Sequence, residues 1–152
     1  MTACPTCGHV TPTVLRSWET WIDAKVESAN ARNVNIRIRS RTYSKARDAW
    51  MWRWRSATWA SAMLGDVGLN KVSTVSILAS ANQRRHVTFT RHYSGRQQEF
   101  DHANLVGGAK GMVDAMVRVG LLVDDSPKWF EAEYRQIRSD RSGLHVRIEE
   151  RE

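Results

Sequence analysis

Five carboxylates fall within one stretch of the chain, Glu99, Asp101, Asp114, Asp124 and Asp125, and Lys110 lies among them. Clustered oxygen ligands suit a hard cation such as Mg2+, with Mn2+ as a substitute. Such a cation activates water and neutralises charge that grows on phosphorus-bound oxygens during phosphodiester hydrolysis. A neighbouring lysine can stabilise charge developing on a phosphate oxygen. Each spacing also has a plainer explanation. Lys110 and Asp114 at i, i+4 match a helix-surface ion pair, and Asp124–Asp125 after an apolar run can simply open a turn.

A second feature supplies a partner for that chemistry. The chain has 152 residues and a formal net charge of +7. Between Arg32 and Arg55 lie eight bases and a single acid, Asp48, so this window carries the whole excess. A basic block on an otherwise neutral chain points to a polyanion, nucleic acid first, with a solvated basic surface as the alternative. Arg32, Arg37, Arg39, Arg41, Lys45 and Arg47 are the candidate phosphate contacts. The length suits one domain. No apolar stretch exceeds four residues, which leaves no candidate for a transmembrane span or a membrane partner. No basic segment followed by an apolar core opens the chain, so a cytoplasmic protein is expected.

Cys4-Pro-Thr-Cys7-Gly-His9 resembles half of a zinc ribbon, because this turn lets two thiolates meet one tetrahedral metal. His9 could be a third ligand, and His86, His92, His102 or His145 a fourth, or two subunits could share a Zn2+ site. There is no second CxxC, so a reduced thiol pair on an N-terminal appendage (residues 1–15) is the alternative.

These residues need elements to position them. Trp18–Val26 reads as a first strand, and Ser28–Arg41 as a long Arg-rich loop with a short extended piece at Val34–Ile38. A helix is expected from about Ser44, a suitable cap, to Leu64, with Gly65 ending it. Its tryptophans at helical spacing, Trp50 and Trp54, read as core, and Trp52, beside Arg53 and Arg55, as the most exposed. Thr74–Ala79 and His86–Tyr93 read as strands of a hairpin through Ser80–Arg85. Leu105, Ala109, Met112, Met116 and Val119 mark one face of an amphipathic helix that Gly120 can end. Phe130–Ile137 and Leu144–Ile148 alternate as strands. The fold class is α/β in the α+β sense, a small mixed sheet of about four to six strands flanked by helices.

The segment DHANLVGGAKGMVDAMVRVGLLVDDS resembles the signature of the RusA family of Holliday junction resolvases, in particular its phage and prophage branch. Asp101, Asn104 and Leu105 match its first element, Lys110 its lysine, Asp114–Ala115 its Asp-Ala pair, Gly120 its glycine and Asp124–Asp125 its final pair. Looser likeness extends over about residues 20–150 and makes residues 16–152 a RusA-like domain. The resemblance implies a homodimer that cuts four-way DNA junctions symmetrically with Mg2+, in a bacterial or phage-infected cell. It makes Asp101 and Asp125 metal-binding carboxylates, Lys110 the catalytic lysine, Asn104 and Asp114 orienting residues, and Asp124 a weaker ligand. One position departs from the pattern: the family's second Asp falls on Ala103. Glu99, two residues before Asp101, would share a face with it on a strand and could replace the lost ligand. His102 is another candidate, and an inactive site is the third outcome.

Overall fold

The computed structural model describes residues 2–3, 7, 10–28, 36–65, 78–79 and 83–152, with 2–3, 10–11, 36–42 and 59–65 described by their backbone. The elements, in chain order, are β1 (Thr2–Ala3), β2 (Val10–Thr11), β3 (Val14–Ile22), α1 (Ile36–Gly65), β4 (Arg85–Tyr93), α2 (His102–Arg118), β5 (Phe130–Arg138) and β6 (Gly143–Arg151). β1 and β2 form a small antiparallel ribbon. The other four strands make one mixed sheet in the order β3-β6-β4-β5. β6 runs antiparallel to both β3 and β4, whereas β4 and β5 are parallel. A parallel pair needs a crossover, and α2 supplies it.

Period-two alternation decides which side of the sheet is covered. Trp18 and Ile22 of β3, Leu144, Val146 and Ile148 of β6, Val87 and Phe89 of β4, and Ala132 and Tyr134 of β5 face the core on one side. α2 lays Leu105, Ala109, Met112 and Met116 on that face, and α1 adds Trp50 and Trp54. The Trp54 indole donates to the Met112 carbonyl at 3.0 Å, so this core tryptophan also has its polar atom satisfied. The opposite face carries Glu19, Arg147, Glu149, His86, Glu131, Glu133 and Arg135, cross-linked by ion pairs such as Arg147–Glu149 at 2.7 Å. The result is a two-layer α+β domain. No helix among the described residues is long and apolar enough to cross a membrane.

Two glycines set the α2 position. A Cβ on Gly108 would lie 1.8 Å from the Glu27 carbonyl oxygen, so only glycine lets the chain after β3 lie on the helix. At the other end Gly120 has φ +83 and sits one residue beyond the Val119 cap. The Leu121 amide reaches Met116 O at 2.9 Å and the Gly120 amide reaches Val117 O at 3.1 Å, the paired bonds of a Schellman stop.

Several expectations change. The first strand is Val14–Ile22 and not Trp18–Val26, because pairing with β6 runs from Val14↔Arg151 to Ile22↔Leu144 and stops there. The helix starts at Ile36, so Arg37, Arg39 and Arg41 belong to it and Ser44 is no cap. Residues 36–44 contain no Gly or Pro to stop it, and arginine is a good helix former. The expected piece at Val34–Ile38 is partly this helix and partly outside the described residues. The Thr74–Ala79 hairpin is not made with β4, which has β6 on one side and β5 on the other along its length. Positions 74–77 themselves lie outside the described residues.

Candidate active site

The Asp101 carboxylate is the N-cap of α2. Its Oδ1 accepts the Asn104 amide at 2.9 Å, and its other oxygen accepts from the Asn104 side chain. An aspartate cap satisfies an otherwise orphaned helix donor and sits favourably at the positive end of the helix. The Asn104 backbone bond, then its side-chain bond, hold the Asp101 carboxyl below the usual carboxylate range. Asn104 thus holds both oxygens of Asp101.

Two turns along, Lys110 projects from α2. Its Nζ lies 3.4 Å from Asp114 Oδ1 and 4.0 Å from Asp125 Oδ2. The first contact is the helix-surface pair that the spacing alone implies. The second joins α2 to the loop after it, and no local rule demands it. Asp114 is pushed above the ordinary carboxylate range, by burial first and then by the Asp125 charge. The Arg118 charge works the other way without cancelling the shift, and Lys110, whose side chain is 64% exposed, is well screened by water. Asp124 does open a turn: its Oδ1 accepts the Ser126 amide at 2.8 Å, and the two Ser126 hydrogen bonds lower its pKa.

The remaining candidates are placed as follows. Glu99 is exposed and lies outside any strand, since β4 ends at Tyr93 and residues 94–101 form a turn and an irregular segment. The strand alternation that would have put Glu99 and Asp101 on one face is therefore absent. A polar run with the tight turn at Gly95 (φ +60) replaces it. His102 is exposed at the start of α2, its ring 6.5 Å from that of Tyr134. Among the described residues no three His, Cys, Asp or Glu side chains converge to hold a metal ion. Asp114 and Asp125 are near enough for the Asp125 charge to raise the Asp114 pKa, a repulsion that a cation between them would relieve, whereas Asp101 stands apart at the N-terminus of α2.

On α1, Lys45, Trp52 and Arg55 are exposed, Trp52 at 71%. The Arg53 guanidinium lies over the Trp50 ring at 4.9 Å. Arg47 is half-buried and pairs with Asp48 at 3.5 Å. Arg37, Arg39 and Arg41 lie on the first turns of the helix, and Arg32 is outside the described residues. Cys7 is exposed, while Cys4 and His9 lie outside the described residues.

Sequence reasoning passed over two buried arginines, Arg85 and Arg91, and their partners Glu150 and Gln136. Both arginines share β4's period-two register with Val87 and Phe89, and an arginine at a core-facing strand position is the signal that could have marked them. No protein-family model and no curated protein matches this chain.

Proposed function

We propose that this protein is a divalent-metal-dependent endonuclease of branched DNA, acting as a homodimer, as the RusA-like signature implies. The observation that carries the reading is the contact of Lys110 with Asp125, two signature positions fifteen residues apart that meet at 4.0 Å beside Asp114. Asp125, with Asp114 beside it, would hold the cation at the Lys110 end of α2; Asp101, the other ligand that the signature implies, caps the far end of the helix, over two turns away. The cation, when bound, supplies charge neutralisation and an acidified water. Lys110 holds a positive charge where a phosphate oxygen would gain negative charge. Asn104 keeps Asp101 ionised and fixed. The basic half of α1 draws in the DNA backbone that the carboxylates repel. One chain carries one such site, so paired cuts on a two-fold junction need two chains.

The test is incubation of the purified protein with labelled four-way junctions and Mg2+. Paired incisions that disappear in Asp125→Asn support the reading, and a wild type no better than Asp125→Asn overturns it. Ala103 and the position of Glu99 outside any strand favour a second reading, a junction binder without cleavage. In that case Ala103→Asp creates Mg2+-dependent cutting that the wild type lacks.

A further inference from the structure

β4 turns two arginines toward the helices, Arg85 at its start and Arg91 near its end, and both are at least 95% buried. A guanidinium in such a place is costly unless its donors are met. Arg85 has the carboxylate of Glu150, with Nη2 at 2.8 Å from Oε1. Arg91 has no carboxylate within ion-pair distance among the described residues. Its donors go instead to Gln98 O, at 3.2 Å from both Nη1 and Nη2, and to Gln136 Oε1 at 2.8 Å. Its guanidinium carbon lies 3.6 Å from the centre of the Phe100 ring.

The Gln136 contact fixes more than Arg91. Arginine only donates, so the atom it meets must be the amide oxygen, and this sets which way the Gln136 carboxamide faces. The same oxygen accepts the Phe100 amide at 3.0 Å, and the Gln136 NH2 donates to Phe100 O at 2.7 Å. One side chain thus pairs both backbone groups of Phe100, as a neighbouring strand would. Phe100 immediately precedes Asp101 in a segment that has no strand pairing of its own. At the far end of α2, Arg85 Nη1 donates to Leu121 O at 2.8 Å, three residues before Asp124. A guanidinium from one strand therefore anchors the chain on each side of α2.

We propose that Gln136, locked in orientation by Arg91, is a positioning residue that fixes Phe100 and thereby holds Asp101 in place as the cap of α2, with Arg85 as its counterpart at the other end of the helix. The catalytic meaning of this role rests on the endonuclease reading. The positioning itself does not.

The experiment uses the full chain with Gln136→Glu, which keeps the acceptor but loses the donor to Phe100 O, and Gln136→Met, which loses all three bonds. Amide exchange at Asn104 and Leu105, whose N–H groups are held by Asp101 Oδ1 and Asp101 O, is expected to quicken at least about tenfold in both variants. With junction substrate and Mg2+, kcat is expected to fall about tenfold or more while KM stays within about twofold, since Gln136 acts through Asp101 and not on DNA. Unchanged exchange at Asn104 and Leu105 in Gln136→Glu overturns the proposal, as does an equal loss spread over amides throughout the sheet. An unchanged kcat in both variants overturns its catalytic part. A wild type that cuts nothing sinks the endonuclease reading alone, and the exchange measurement still decides the positioning. If Gln136→Met fails to fold, exchange in Gln136→Glu decides between the outcomes.

Discussion

Replacing Arg85 by Met tests how firmly the loop bearing Asp124 and Asp125 is tied to the sheet. The Arg85 side chain is fully buried. It bonds Glu150 Oε1 through Nε at 3.2 Å and Nη2 at 2.8 Å, Leu121 O at 2.8 Å and Leu78 O at 3.3 Å, and its guanidinium lies 4.8 Å from the Trp18 ring centre. Removing one member of a buried pair costs about 3–5 kcal/mol, mostly because the other charge is stranded. Here Glu150 is not wholly stranded, because Arg16 at 2.8 Å and Gln83 at 3.1 Å remain. That lowers the cost of the pair. The weakened satisfaction of the Leu121 carbonyl adds about 1–3 kcal/mol. The expected loss is about 3 kcal/mol, or about 6–12 °C in Tm for a chain of this size. Urea unfolding measures it directly. The double variant Arg85→Met/Glu150→Met removes both charges and should regain part of the loss, because Arg16 is half-exposed and can return to water. A single variant within about 1 kcal/mol of wild type, or a double variant less stable than the single, refutes the reasoning.

Other changes have defined outcomes. Gly108→Ala should destabilise by about 1–3 kcal/mol in thermal melts, since a contact of 1.8 Å with the Glu27 backbone outweighs the gain of about 1 kcal/mol in helix propensity. Trp54→Ala should cost about 3–5 kcal/mol, while Trp52→Ala should stay within about 0.5 kcal/mol of wild type in the same melts, because only Trp54 is buried. The triple variant Arg37→Ala/Arg39→Ala/Arg41→Ala should weaken junction binding evenly across sequences and lower the salt slope by about one per lost phosphate contact, as read from binding titrations at several salt concentrations. Asp114 has its folded-state pKa raised, so the fold prefers its neutral form. Its penalty is absent below the unfolded pKa and complete once pH has risen through the folded value. Asp114→Asn should therefore be more stable than wild type at pH 7, with the gap closing as pH falls through the carboxylate range in unfolding titrations.

Where local rules act alone, the sequence was a sufficient guide. The face of α2 at Leu105, Ala109, Met112 and Met116, its stop at Gly120, and the strands β4, β5 and β6 all follow from periodicity and glycine placement. So does the contrast between core Trp54 and exposed Trp52. Boundaries were less legible: α1 begins eight residues before Ser44, since a cap-forming serine inside a run of helix formers does not have to start anything. The alternation that linked Glu99 to Asp101 failed because Gly95 turns the chain out of β4 before it reaches them.

The candidate site divides along the same line. Sequence alone determines the residue types, the Lys110–Asp114 spacing on one helix face, and the basic block between Arg32 and Arg55, because these are local matters of covalent order and helical period. Tertiary structure decides that Asp125 meets Lys110, that Asp101 caps α2 and does not extend a strand, and that Arg85 and Arg91 hold the two ends of that helix. The anchoring contacts of the two arginines join residues from 7 to 36 positions apart, and the burial of Arg85 and Arg91 depends on β4 lying beneath the helices at the centre of the sheet. Strand order of that kind comes from packing the whole chain, which no local pattern encodes.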